Sequence, residues 1–254
     1  MSAIIIKIIA CIAMLIDHAA FVFRPQLDAI APWIYVVCRM VGRIAFPLFA
    51  MCVAEGVDHT SNPKKYALRM FVFALIAQIP FSLMMGTRAP SITLELFGLQ
   101  LGFNYELSVM VTLYFGLVIS NGIHRGRPFL AAIMLLIAYL LDRFVGMDYG
   151  ILGVLFIVGL FLTRSKKAFR LLVLFLFALC LYLTPLKEFA KEIVTGAHAS
   201  ISNGVLFFLG TLSAGLFMLA YNRKKGGSAK YFFYVFYPAH MLILTVLFYV
   251  MQAQ

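Results

Sequence analysis

In IIACIAMLIDHAAFVF, residues 8–23, an aspartate and a histidine stand side by side inside a run that is otherwise apolar. A charged group at membrane depth costs about 2.5 kcal/mol or more unless a partner or a water-filled cavity receives it. Asp17 therefore needs a cation, and the next apolar run supplies two. Arg39 and Arg43 are spaced i, i+4 and lie on one helix face, where like charges repel and an anion should sit between them. Asp17 can neutralise one, leaving about one positive charge for a phosphate, a carboxylate or the oxyanion of a reaction. The plainer reading of the same residues is an ion pair that locks two helices. Successive helical positions point about 100° apart, so His18 must face elsewhere than Asp17. A buried neutral imidazole there is a ready general base.

At 1.5 Å per residue, His18 lies roughly 22 Å from the start of its helix, and Arg39 roughly 12 Å from the start of the second, which enters from the other side. Those depths let a long arginine on the second helix reach Asp17 on the first. The remaining ionisable or polar candidates at or near membrane depth form a second rank: His240 in FYPAHMLIL, about nine residues into the last helix, with Glu55, Asp148, Tyr237 and Asn104. A lone histidine such as His240 also suits a simple interhelical hydrogen bond.

The elements that must position these residues are apolar helices. The 254 residues are 63% hydrophobic and 12% charged, with a mean hydropathy of +0.98, more than a soluble domain of this length could bury. The expected fold is all-α, a polytopic transmembrane helix bundle forming a single integral membrane domain over 1–254. Runs near the required ~20 residues fall at about 3–23, 31–57, 69–86, 104–121, 129–145, 149–163, 168–184, 203–221 and 231–251, which is about nine spans. The stretch 87–103 is apolar but short and broken, suited to an external amphipathic or re-entrant piece. No linker or soluble domain is expected, since the longest polar connection, TPLKEFAKEIVTGAHAS, is under 20 residues.

The net charge of +11 is arranged by topology rather than for nucleic acid. DHTSNPKKYALR, GIHRGRP, TRSKKAFR and NRKKGGSAK carry thirteen Lys and Arg, against five in the intervening connections. That alternation puts the N-terminus and those four loops in the cytoplasm. GxSxG, Walker A, GxGxxG and HExxH motifs are missing, so serine hydrolase, NTPase, dinucleotide and zincin chemistry have no foothold. Asp58, His59 and Asn62 read as a helix end and turn rather than a metal site, and no metal is expected.

Five segments then carry a resemblance: KIIACIAMLIDHAAFVF, RMVGRIAFPLFAMCVAEGVDHTSNPKKYALRM, ALIAQIPFSLM, DYGILGVL and KYFFYVFYPAHMLIL. In this order, and over most of the chain, they resemble the TraX family of integral membrane proteins. The resemblance implies a bacterial inner-membrane acetyltransferase, since the family's name-bearing member is associated with N-terminal acetylation of conjugative pilin subunits. It is also similar, at fold level, to multi-helix membrane acyltransferases with a histidine in the first helix. Carried over, this makes His18 the catalytic residue, with Asp17, Arg39 and Arg43 supporting it.

The donor implied is acetyl-CoA, entering from the cytoplasm with its phosphoadenosine end on basic loops at Lys64, Lys65, Arg69, Arg223, Lys224 and Lys225, and with Arg43 also binding the donor. Lys64, Lys65, Arg69 and the three at 223–225 also satisfy the topology rule alone. The acceptor would be an amine or hydroxyl of a membrane-associated peptide, glycan or lipid. Direct transfer and an acetyl-His18 intermediate use the same residues. Two other classes stay open: a proton-coupled transporter using an Asp, His and Arg relay, and a non-enzymatic pilus assembly factor that binds a client in the bilayer.

Overall fold

A computed structural model describes residues 1–96, 99–195, 202–227 and 229–252. The helices are α1 (Ala3–Val22), α2 (Arg24–Ile30), α3 (Pro32–Gly42), α4 (Ala45–His59), α5 (Pro63–Gly86), α6 (Val109–His124), α7 (Pro128–Phe144), α8 (Gly150–Leu162), α9 (Lys167–Leu181), α10 (Leu183–Val194), α11 (Asn203–Ala220) and α12 (Lys230–Gln252). Prolines open α2, α3, α5 and α7, where a missing backbone N–H costs nothing. Asn62 caps α5 by accepting the Lys65 amide hydrogen at 3.0 Å. The α3–α4 break has a local cause: Pro47 cannot donate to the carbonyl four residues back, at Arg43, so the helix restarts there.

Each of the nine apolar runs contains a helix, the fourth only from Val109, and the chain is a helical, polytopic membrane protein. Five segments among the described residues are long and apolar enough to cross a bilayer: Ala3–Val22, Pro32–His59, Pro63–Gly86, Asn203–Ala220 and Tyr231–Gln252. The pair α9–α10, bent by 76°, is apolar and long enough only when taken together, as a broken span or a re-entrant loop. α6, α7 and α8 are shorter, at 16, 17 and 13 residues.

The expectation of helices alone is corrected at one place. Within 87–103, strands β1 (Ile92–Leu96) and β2 (Leu99–Phe103) pair antiparallel, Ile92 opposite Phe103. Residues 97–98 of that stretch lie outside the described residues, as do 196–200 of the long polar connection, whose first part is α10. The hairpin closes on α5 because Gly86 and Gly102 meet backbone to backbone; a Cβ on Gly86 would lie 2.0 Å from the Gly102 carbonyl oxygen. The Tyr249 hydroxyl of α12 accepts the Gly102 amide hydrogen at 3.0 Å.

One apolar core joins α1, α4, α5, α6, α8, α9, α11 and α12. α7 packs outside it on α6 and α8, through Phe115, Ala131, Ala138 and Val154. The N-terminus and the four basic loops gather at one end of the bundle. Ala3 donates to the Lys224 carbonyl at 2.8 Å, Lys167 Nζ to that of Leu219 at 2.9 Å, and Asp58 pairs with both Arg164 and His124.

Candidate functional site

Helix α3 can approach α1 because it ends in Gly42, where a Cβ would lie 2.1 Å from an Asp17 carboxylate oxygen. α11 makes a second close approach through Gly210, whose Cβ would lie 2.4 Å from the Met40 carbonyl oxygen. Between these contacts the two arginines of α3 and its break reach one carboxylate. Arg39 Nη1 donates to Asp17 at 2.6 Å, and Arg43 Nη2 donates at 2.9 and 3.1 Å. Asp17 is 7% exposed. The Arg39 Nε is buried without a hydrogen-bond partner among the described residues. Both guanidiniums also lie over rings, Arg39 over Phe21 and Arg43 over Phe207.

His18, one position on, faces α12. Its Nδ1 lies 2.8 Å from His240 Nε2, and His240 Nδ1 lies 2.7 Å from the Phe236 carbonyl oxygen. The Phe236 ring stacks on His240, with centroids 4.9 Å apart. Adjacent positions on α1 therefore serve two different neighbours, the arginines of α3 and the histidine of α12.

These groups line a cavity of about 140 Å³, with Asp17, His18, Arg39, Arg43, Asp148 and Tyr237 on its walls. Asp148 comes from the turn between α7 and α8, which is heavily pinned. The Asp148 amide donates to the Leu107 carbonyl at 2.9 Å, and its own carbonyl accepts from Thr112 Oγ1 at 2.6 Å. Asp142 takes the amides of Met147 and Ile151. Tyr149, at φ 62°, holds a left-handed conformation unfavourable for a bulky residue, and stacks on Phe46 with centroids 3.9 Å apart. A strained turn fixed from four sides thus presents the Asp148 carboxylate to the cavity.

Toward the basic end lies a larger chamber of about 630 Å³, lined among others by Lys7, Glu55, Lys65, Arg69, Arg223 and Lys225. Phe49, Met110, Leu113 and Phe233 line both spaces and form the wall between them. From Lys7 to His18 is eleven positions on α1, about 16 Å along its axis. A flexible arm of that length, held in the chamber, would reach the small cavity.

Of the residues singled out in the sequence, Lys64 and Lys224 do not line the chamber. Lys65 and Arg69 are i, i+4 and share a face that Lys64, one position earlier, leaves by about 100°. At 224 the chain is engaged through its backbone, and Lys225 lines the chamber instead. Asn104 does not line the cavity either. Its side chain donates to the Ala89 carbonyl at 2.9 Å and accepts the Glu106 amide hydrogen at 2.8 Å, closing the loop behind the hairpin. Glu55 stands apart from Asp17 and pairs with Arg170 at 2.8 Å and Arg223 at 3.4 Å.

Arg170, Tyr149 and Phe46 escaped the sequence reading. Arg170 looked like part of the basic loop TRSKKAFR, yet it is 3% exposed. The signal for it was Glu55, a carboxylate inside an apolar run that also needed a cation.

The TraX family, described as TraX protein, matches residues 2–248. A curated relative from Dichelobacter nodosus, "Probable fimbrial assembly protein FimC, serogroup H1", is 31% identical over 248 residues, 96% of this chain and 94% of its own. No solved structure matches the chain. With nearly its whole length matched, the chain belongs to the TraX family.

Proposed function

We propose that this chain is an acetyl-CoA-dependent acetyltransferase of the bacterial inner membrane, with all nine apolar runs embedded and the N-terminus and basic loops in the cytoplasm. The observation that carries the reading is one cavity holding an imidazole and an arginine pair, walled by four apolar side chains from a chamber lined with cations. Lys65, Arg69, Arg223 and Lys225 hold the donor's phosphates at the cytoplasmic end. Its pantetheine arm displaces the apolar wall and brings the thioester carbonyl to His18.

His18 takes the proton of the attacking amine or hydroxyl as the new bond to the acetyl carbon forms. Arg39, with a buried nitrogen that Asp17 leaves unused, stabilises the tetrahedral oxyanion, a contribution of about 3 kcal/mol in comparable sites. The carbon–sulfur bond then breaks, and the thiolate leaves with the proton as CoA thiol. Asp17 neutralises part of the arginine charge and holds both guanidiniums still. The Asp148 carboxylate, without a hydrogen bond or ion pair among the described residues, receives an acceptor that arrives as an ammonium. The relative named for fimbrial assembly makes a pilin-type N-terminus the acceptor to try first.

Acetyl transfer by purified protein in nanodiscs tests this reading. Acetyl-CoA should bind, CoA thiol should be released when a membrane peptide with a free N-terminus is added, and His18→Ala should bind donor without releasing thiol. A folded sample that binds no acetyl-CoA near 1 mM, a site worth less than about 4 kcal/mol, overturns it. The same relative's name favours a second reading, an assembly factor that binds a subunit without chemistry. In that case His18→Ala leaves the client bound and the phenotype intact.

A further inference from the structure

We infer that His240 is a positioning residue: it fixes which nitrogen of His18 is bare, and it gives the proton collected by His18 a second resting place. A carbonyl oxygen only accepts hydrogen bonds, so the 2.7 Å contact to Phe236 requires a hydrogen on His240 Nδ1. In the neutral ring, His240 Nε2 is then a lone pair. It lies 2.8 Å from His18 Nδ1, so that nitrogen must carry the hydrogen. The His18 Nε2 is left bare, in the tautomer a general base needs. The ring planes differ by only 8°, with centroids 5.0 Å apart. Together with the short nitrogen contact this sets the rings edge to edge, where an in-plane lone pair can meet an in-plane N–H.

The second role follows from charge. A proton taken by His18 would create a third cation beside Arg39 and Arg43, which are ion-paired to Asp17, with the Asp148 carboxylate on the same cavity wall. If the Nδ1 hydrogen of His18 moves to His240 Nε2 as Nε2 of His18 is protonated, the new charge sits one ring further off. It then rests against the Phe236 carbonyl. For an acceptor amine or hydroxyl, the acetyl carbon gains a bond to nitrogen or oxygen and loses its bond to sulfur. The proton runs to His240 through His18 and back to the thiolate, so no co-reactant is needed. This consequence rests on the acetyl-transfer reading; the tautomer does not.

The test is nitrogen NMR of histidine-labelled protein in lipid bilayers, with the His18 signals assigned by their loss in His18→Gln. We expect the hydrogen of His18 on Nδ1 in the wild type and moved wholly or partly to Nε2 in His240→Ala. His240→Asn, whose amide oxygen still accepts, should keep it on Nδ1 and covers the case where the alanine variant misfolds. In acetyl transfer, His240→Asn should keep KM and lose roughly tenfold to a hundredfold in kcat. Its rate in mixtures of light and heavy water should change from a curved to a linear dependence, which a structural defect would not produce. A wild-type His18 hydrogen on Nε2, an unaltered tautomer in His240→Ala, or an unchanged water dependence in His240→Asn overturns the inference. If the tautomer behaves as expected while the wild type transfers no acetyl group, the function falls and the tautomer assignment stands.

Discussion

The bundle contains two buried carboxylates that each hold two arginines, and they differ in what surrounds them. Asp17 is shared by Arg39 and Arg43 on the wall of a cavity, next to paired histidines. Glu55 is shared by Arg170 and Arg223, and its cations are unequal. Arg170 is 3% exposed and also serves the Arg164 carbonyl at 2.6 Å and the Met51 sulfur at 3.5 Å. The side chain of Arg223 is 46% exposed in the basic chamber. The Glu55 cluster is a latch joining α4, α9 and the loop at Arg223, with Arg170 held on the backbone as well. The Asp17 cluster instead lines the cavity of about 140 Å³. In both trios a buried guanidinium Nε has no hydrogen-bond partner among the described residues, that of Arg39 in one and of Arg170 in the other, so the difference lies in the neighbours: a histidine pair beside Asp17, backbone and the basic chamber beside Glu55.

Substitutions can break this contrast. The largest expected effect is His18→Ala, with acetyl transfer down about 10²- to 10⁴-fold and thermal stability close to wild type, read from thiol release and unfolding in nanodiscs. Equal loss from a well-folded variant of the Glu55 cluster would erase the distinction. Arg170→Gln should cost about 3–5 kcal/mol of stability, because it leaves Glu55 buried against a half-exposed partner. Arg43→Gln should cost clearly less, since Asp17 keeps Arg39, while its activity falls further than that of any folded Arg170 variant.

Two glycines sharpen the comparison. Gly42→Ala drives a methyl to within 2.1 Å of Asp17 and should cost about 1–3 kcal/mol with a matching loss of activity. Gly56→Ala, beside Glu55, meets only the Tyr66 ring at 3.0 Å and should be milder on both counts. The smallest effect belongs to the chamber. Lys65→Ala should weaken acetyl-CoA about threefold at low salt, with the difference shrinking as salt rises. No change in affinity would remove the chamber from donor binding.

The helices and the Asp17 cluster were legible in the sequence because both follow from periodicity. Apolar runs of bilayer length gave the elements, and i, i+4 spacing put Arg39 and Arg43 on one face at a depth Asp17 could meet. The histidine pair was not legible. His18 and His240 lie 222 positions apart, and one residue of register in α12 would turn the second ring away. Tyr149 was hidden for a related reason: the turn that holds its left-handed backbone is pinned at Asp148 by Leu107 and Thr112, both more than 30 positions away, besides the nearby Asp142. The hairpin had a local signal, the alternation in ITLEL and LQLGF, masked by the apolar character of the whole stretch.

The wall formed by Phe49, Met110, Leu113 and Phe233 also bears on what the membrane can withstand. A protein with a chamber at one end and a polar cavity beyond it would short-circuit the ion gradient if the two were joined by water. Those four side chains are the seal. Under the proposed acetyl transfer, the donor would advance by pushing them aside and filling the opening with its own arm, so that the passage is occupied whenever it is open. Replacing Phe49 and Phe233 with alanine is expected to make the protein leak protons while the proposed acetyl transfer persists, measurable as dissipation of a pH gradient in sealed vesicles.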